Sequence, residues 1–254
     1  MTSTTTPPQT STETSTDTSA TGRTGLGTVL ITGGSSGLGA ATVQAVLAAG
    51  GTPLVLDLAR PSADLPEGAY AEVDLSDPRA AEQAVRDVVE ANGGRLDGVL
   101  TAAGIDFPAP LDGIDGPSWE KIVMVNLFGT AAVARAALPY LKASHGRIVT
   151  VASTLGIKAV GDATAYCASK FGVVGFTRSL AAETAGQIGV TLLIPGGMHT
   201  HFFDDRDAQY KPGADAVLNR PEDTAAAVVF ALSQPAGCEV RELVVASSVE
   251  TSWP

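Results

Sequence analysis

Thr28-Val29-Leu30-Ile31-Thr32-Gly33-Gly34-Ser35-Ser36-Gly37-Leu38-Gly39 is the stretch on which the fold turns. Its first five residues are β-branched or apolar, the make-up of a short buried strand. Four glycines then interrupt the run, and an Ala-rich helical stretch extends from Leu38 to Ala49. Strand, glycine turn and helix in this order leave unpaired N–H groups and the positive end of a helix dipole facing outward, where an anion can sit. Glycine permits the tight turn, lets the backbone approach a pyrophosphate and lets the helix pack closely on the strand. No Lys-Ser/Thr pair follows, which excludes a phosphate-loop NTPase. The turn therefore reads as a dinucleotide site formed by Gly33, Ser35, Ser36, Gly37, Leu38 and Gly39. The plainer alternative is a glycine-rich turn with no ligand.

Working outward, the same alternation repeats. Strands are expected at Pro53–Asp57, Ala69–Val73, Gly98–Thr101, Arg147–Val151, Val190–Ile194 and Glu242–Ala246. Helices are expected at Pro78–Ala91 (with Asp77 as cap), Ser118–Lys142, Thr164–Thr184 and Pro221–Leu232. Gly129 and Pro139 fall inside the second of these helices and argue against a regular rod. The strands are continuous apolar runs, the pattern of strands covered on both faces. Regular β-α alternation with such strands predicts an α/β, doubly wound, Rossmann-type parallel sheet of seven strands with helices on both faces.

Composition narrows the function classes. Hydrophobic residues are 44% and charged residues 17% of 254, enough for a large core, but aromatics are only 5%. The formal charge of −11 repels phosphate backbones and anionic lipid, so nucleic acid and membrane are poor partners. No run of 18 uninterrupted apolar residues predicts a membrane span. Residues 1–24 are mostly Thr and Ser, without a basic start or apolar stretch, and read as a disordered tail rather than a signal peptide. Residues 25–254 read as one domain. Cys167 and Cys238 have no motif spacing and are expected as free thiols in a reducing cytoplasm.

Asp57 closes the second strand, 18 residues beyond Gly39. A carboxylate there accepts hydrogen bonds from the adenosine ribose hydroxyls of NAD. Against the 2′-phosphate of NADP it would be a like charge, costing about 1–4 kcal/mol at contact. The next residue, Leu58, offers that phosphate nothing, although Arg60 could pair with Asp57 or bind it, so NAD is expected and NADP stays possible. Asp74 could hold the adenine amine or merely cap the turn before Pro78.

Tyr166 and Lys170 lie four apart in the helix after the fifth strand, one turn apart on one face. An ammonium beside a phenol favours the phenolate and brings its ordinary pKa of about 10 toward working pH. Ser153, just past the end of the fifth strand, sits where open α/β sheets bind ligands and can hydrogen-bond a substrate oxygen. Each signal is weak alone. A surface tyrosine over a lysine stem is a commoner use of the pair.

In combination they resemble the short-chain dehydrogenase/reductase family, in its single-domain branch, from Gly27 onward. TGGSSGLG is similar to the family's TGxxxGxG turn, and Tyr166 with Lys170 to its YxxxK pair. Ser153 stands thirteen residues before the tyrosine, Asn126 sits in Val125-Asn126-Leu127, and Pro195 to Thr200 fits PGxxxT. The resemblance implies that Tyr166 shuttles the proton and Lys170 lowers its pKa while holding the nicotinamide ribose. Ser153 would orient the substrate oxygen, and Asn126 would hold a helix kink and a relay water. It implies further nucleotide contacts at Leu58, Asp74, Leu75, Ala103 and Gly104, with Pro195, Gly196, Met198 and Thr200 closing over the nicotinamide. Homotetramers, or failing those homodimers, would form through the helices beginning at Ser118 and Thr164. One departure is visible: the family's NNAG reads Thr101-Ala102-Ala103-Gly104, which predicts a local stability cost without lost activity.

Residues 199–219 occupy the position of the family's substrate lid, where Phe202, Phe203 and Tyr210 could wall a small substrate or anchor the lid. His199 and His201 with Asp204 lack the preorganisation of a metal site, and no metal is expected. Leu180-Ala181-Ala182-Glu183 lacks the arginine of carrier-protein acyl reductases, which argues with the net charge against a carrier-bound substrate. The expectation is an NAD-dependent oxidoreductase of a small secondary alcohol or ketone. An NADPH-dependent ketoreductase and a catalytically silent dinucleotide-binding regulator are the alternatives.

Overall fold

A computed structural model of the protein describes Met1 and residues 25–253; the expected tail, residues 1–24, lies otherwise outside the described residues. Seven parallel strands form one sheet: β1 (Thr28–Thr32), β2 (Thr52–Asp57), β3 (Tyr70–Glu72), β4 (Gly98–Thr101), β5 (Arg147–Val151), β6 (Gly189–Pro195) and β7 (Glu242–Val245). Their order is β3-β2-β1-β4-β5-β6-β7. β3 is shorter than expected because it is an edge strand, yet ladder bonds still tie Ala69 and Val73 to β2.

Helices α1 (Gly37–Ala48), α2 (Pro78–Ala91), α3 (Gly116–Val123), α4 (Thr130–Ser144), α5 (Thr164–Glu183) and α6 (Pro221–Leu232) cover the sheet. Alternate residues of each strand feed opposite faces. In β1, Leu30 joins a core with Leu54, Leu56 and Ile148 beneath α2 and α4, whereas Val29 and Ile31 join Val55, Leu100 and Leu193 beneath α1 and α6. Burial on both faces is why the strands carry no polar alternation.

Local signals set the helix ends. The Asp77 side chain accepts from Arg79 and Ala80 N–H with Pro78 in the first turn, and α2 starts there. The long helix expected near Ser118–Lys142 is interrupted: a π-helical turn, Met124–Gly129, separates α3 from α4 and carries Asn126. The combined stretch Gly116–Ser144 has the length and mean hydropathy to cross a membrane, but α4 spends its apolar face, Val133, Ala137 and Leu141, on the core.

Register then builds the crevice. Thr32 pairs with Leu56 on one side and Thr101 on the other, so the carboxyl ends of β2, β1 and β4 are level. The chain winds outward both ways from β1, and the crevice opens where strand order reverses, beside β1 and β4.

Candidate active site

A cavity of about 560 Å³ opens beyond the carboxyl ends of β1, β2, β4, β5 and β6. At one end lies the glycine turn. Gly33 has φ +71° and a Cβ there would lie 2.8 Å from Ala103 Cα, so both backbone and space demand glycine. A Cβ on Gly39 would lie 2.0 Å from Gly33 O, which explains why α1 can pack so closely on the turn. Ser36 stands at the N-cap of α1 in extended conformation without a side-chain cap bond among the described residues, leaving first-turn N–H groups for an anion. The cradle is one that side chains would fill, and it fits a dinucleotide pyrophosphate.

Asp57 lines the same cavity. Its carboxylate accepts from Ser35 N–H (2.8 Å) and Ser35 Oγ (2.7 Å), and from Ala59 N–H (3.2 Å). Ser35 is thus turned onto Asp57 and, unlike Gly33, Ser36, Gly37, Leu38 and Gly39, does not line the cavity. Arg60 is exposed and lies over the Tyr70 ring at 5.7 Å, pairing with neither Asp57 nor the cavity wall. Asp74 both lines the cavity and caps its own turn by accepting from Ser76 N–H at 2.8 Å. That bond holds its carboxyl below the usual range. Leu58, Leu75, Ala103, Gly104, Pro195, Gly196, Met198 and Thr200 all line the cavity as well.

At the other end, α5 brings Tyr166 and Lys170 beneath Ser153 from the end of β5; all three are buried. Ser153 Oγ accepts from Leu155 N–H at 3.1 Å. Lys170 Nζ donates to Val151 O at 2.9 Å and lies 5.6 Å from the Tyr166 ring centre. Here one expectation is corrected. Burial pushes the Tyr166 phenol up to about 12, the Ser153 hydroxyl pulls the other way and Asp106 adds to the rise. Lys170, with one N–H engaged by the Val151 carbonyl, is itself lowered to about 8 by burial. Without a nucleotide, desolvation dominates, and the phenol is protonated throughout the physiological range.

Asn126 stands behind the cavity, fully buried. Its Nδ2 donates to Ile105 O (2.9 Å) and Ser169 Oγ (3.1 Å), and its Oδ1 accepts from Ile105 N–H (2.8 Å). The amide clamps the β4 exit to α5, next to Gly104, where a Cβ would lie 3.3 Å from Asn126 Oδ1 and 3.6 Å from Lys170 Nζ. Ala102 lacks the amide of the family's motif. The link between the ends of β4 and β1 is made instead by Thr32 Oγ1, which accepts from Ala103 N–H at 3.1 Å.

The lid divides its aromatics. Phe202 packs on Tyr166 with ring centres 5.8 Å apart and Phe203 also lines the cavity, whereas Tyr210 anchors the lid by donating to Asp162 at 3.0 Å. His201 pairs with Asp204 in solvent, and no metal-holding cluster occurs among the described residues. Four residues near the site carried no sequence signal. Arg206, half-buried in a loop that reads as an acidic surface, pairs with Asp106 at 2.9 Å. Glu250 accepts from Gly197 N–H at 2.9 Å, and Ser252 shares a 2.6 Å hydrogen bond with Thr154. Only folding brings Arg206, Glu250 and Ser252 to the cavity, with Asp106 beside Arg206.

Comparison with known proteins agrees with this geometry. Residues 27–211 match the short chain dehydrogenase family. The D-threitol dehydrogenase of Mycolicibacterium smegmatis is 34% identical over 82% of this chain and 86% of its own length. A short-chain dehydrogenase/reductase of Penicillium canescens is 30% identical over 76% and 81%. Among solved structures, levodione reductase superposes with TM-score 0.76 at 28% identity, covering 91% of this chain and 99% of that one. A 3-ketoacyl-(acyl-carrier-protein) reductase from Brucella melitensis, in complex with NADH, gives 0.78 at 25% identity, covering 89% and 99%.

Proposed function

The chain belongs to the short-chain dehydrogenase/reductase family, and on that footing we propose that it is an NAD-dependent oxidoreductase interconverting a small secondary alcohol and its ketone, with Tyr166 as acid/base. One observation carries the reading: the Ser153, Tyr166 and Lys170 side chains and the glycine cradle with Asp57 line one continuous cavity. Hydride exchange at the nicotinamide C4 is the chemistry the dinucleotide supplies when bound. The glycine turn would hold its pyrophosphate, Asp57 and Asp74 its adenosine end, and Pro195, Gly196, Met198 and Thr200 its nicotinamide end.

The chain's own part is the proton. Tyr166 Oη, protonated in the resting site, gives its proton to the carbonyl oxygen as charge develops there. Ser153 Oγ donates a hydrogen bond to the same oxygen. Lys170, with one N–H on Val151 O, keeps its remaining donors for the nucleotide ribose and for returning a proton to Tyr166. Asn126 positions this machinery by holding Ile105 and Ser169. NAD is favoured because Asp57 faces the adenosine pocket and Arg60 is engaged over Tyr70. Phe128 and Phe171, both half-exposed on the two long helical stretches, support assembly into a homodimer or homotetramer through those faces. Cys167 and Cys238 are unpaired, in keeping with a reducing cytoplasm.

The test is a separate titration of NAD(H) and NADP(H), followed by an alcohol and ketone panel read by nicotinamide absorbance. Tyr166→Phe should keep nucleotide affinity and lose at least about 100-fold in turnover. Tighter NADPH binding sinks the cofactor assignment; wild-type turnover in Tyr166→Phe sinks the acid/base assignment.

A further inference from the structure

Arg206 is the one lid residue that faces the cavity with charge and is also tied down. Its guanidinium lies 4.7 Å from the ring centres of both Phe202 and Phe203. One Nη donates to Asp106 Oδ2 at 2.9 Å, with the two side chains 13% and 3% exposed. Asp106 is not in the cavity wall; it stands behind Arg206 and fixes it there. The Nε–H of Arg206 is buried and has no hydrogen-bond partner among the described residues. A buried donor left unpaired is unfavourable, and here it belongs to a side chain that lines the substrate end of the cavity.

We infer that Arg206 is a specificity-determining residue that donates a hydrogen bond to a second, neutral oxygen of the substrate, a hydroxyl or a further carbonyl, about one ring's width from the reacting carbon. The spacing comes from Phe202, which touches Tyr166 on one side and Arg206 on the other. The neutrality comes from Asp106. It already balances the guanidinium, so a substrate carboxylate would place a second anion against one cation in a largely dehydrated corner. The surrounding wall, Ile105, Phe107, Leu155, Phe202 and Phe203, suits an apolar body between the two oxygens. The preferred substrate is thus an oxygenated ketone, such as a hydroxy ketone or diketone, or the alcohol derived from one.

The inference takes only the identity of the reacting carbonyl from the oxidoreductase reading, and binding tests it separately from turnover. Protein loaded with whichever oxidised nucleotide it binds is titrated by calorimetry with cyclohexanone, 4-hydroxycyclohexanone and 4-oxocyclohexanecarboxylate. Wild type should bind the hydroxy ketone about 10- to 100-fold more tightly than the parent ketone, and more tightly than the carboxylate. Arg206→Met should bring hydroxy and parent ketone within about threefold, and Arg206→Lys should restore part of the preference. The lysine variant carries the test if the methionine variant, with Asp106 left unpaired, melts early. Equal affinities in wild type, a carboxylate that binds tightest, or a preference untouched in both variants would each overturn it. Hydroxy ketone preference without turnover of any ketone by reduced nucleotide would instead sink the oxidoreductase reading and leave this one standing.

Discussion

Lys170→Met should make the nucleotide-free protein more stable at neutral pH while abolishing its activity. The ammonium is buried, and burial brings its pKa from the ordinary 10.5 to about 8. Below about pH 8 the folded chain holds a charge it disfavours, and the difference between those two values is worth roughly 3 kcal/mol. Between about pH 8 and 10.5 the unfolded chain binds more protons than the folded one, so the wild type gains stability as pH rises. Methionine carries no charge to bury. It does leave Val151 O without its 2.9 Å donor, a loss of about 1 kcal/mol. The variant should therefore exceed wild type by about 2 kcal/mol at pH 7 and come close to it at pH 9.5. Urea unfolding of nucleotide-free protein, followed by tryptophan fluorescence at both pH values, measures the gap. Trp119 is well placed to report, since its indole N–H reaches Thr164 at the start of α5. A variant less stable than wild type at pH 7, or a gap unchanged at pH 9.5, refutes the reasoning.

Asn126→Ala should cost about 2–4 kcal/mol, because it orphans the N–H and C=O of Ile105 together; thermal melts of the folded variant measure this, and its kcat should fall more than its KM rises. Gly39→Ala drives a methyl group into Gly33 O and should weaken NAD binding at least about tenfold while costing about 1–3 kcal/mol, both read by calorimetry and melting. Asp57→Ser removes the carboxylate facing the adenosine pocket and releases Ser35, and should shift the NADP-to-NAD affinity ratio upward by about tenfold or more in direct titration.

The sheet was legible because each strand is a largely apolar run beside glycine, proline or aspartate, and all seven strands lie within a residue of their expected bounds at each end. β3 was overrun because apolar flanks, Ala69 and Val73, extend beyond an edge strand that has only one neighbour. The cradle and the Tyr166–Lys170 pair were legible because their spacing is local: a turn of eight residues and one turn of helix. The π-turn was not, since Gly129 marks an irregularity without saying which kind. Nor was the protonation of Tyr166, which depends on how much water the folded lid removes and on where Lys170 finds a carbonyl. Arg206 was hidden by its neighbours: among Asp204, Asp205 and Asp207 it reads as solvated charge, and its partner Asp106 lies one hundred residues away.

The closing of the cavity by Glu250 and Ser252 has a consequence for the order in which the protein is made. Glu250 holds Gly197 and Ser252 holds Thr154, and Lys158 reaches the carbonyl of Thr251. On the ribosome the cradle, Asp57 and the Tyr166 helix all emerge before these residues do. A growing chain therefore presents a nucleotide groove whose far wall has yet to be translated, and occupancy of that groove cannot reach its final strength until the strap arrives. Truncation at Val249, sparing every strand and helix, would leave the enzyme in that unfinished state.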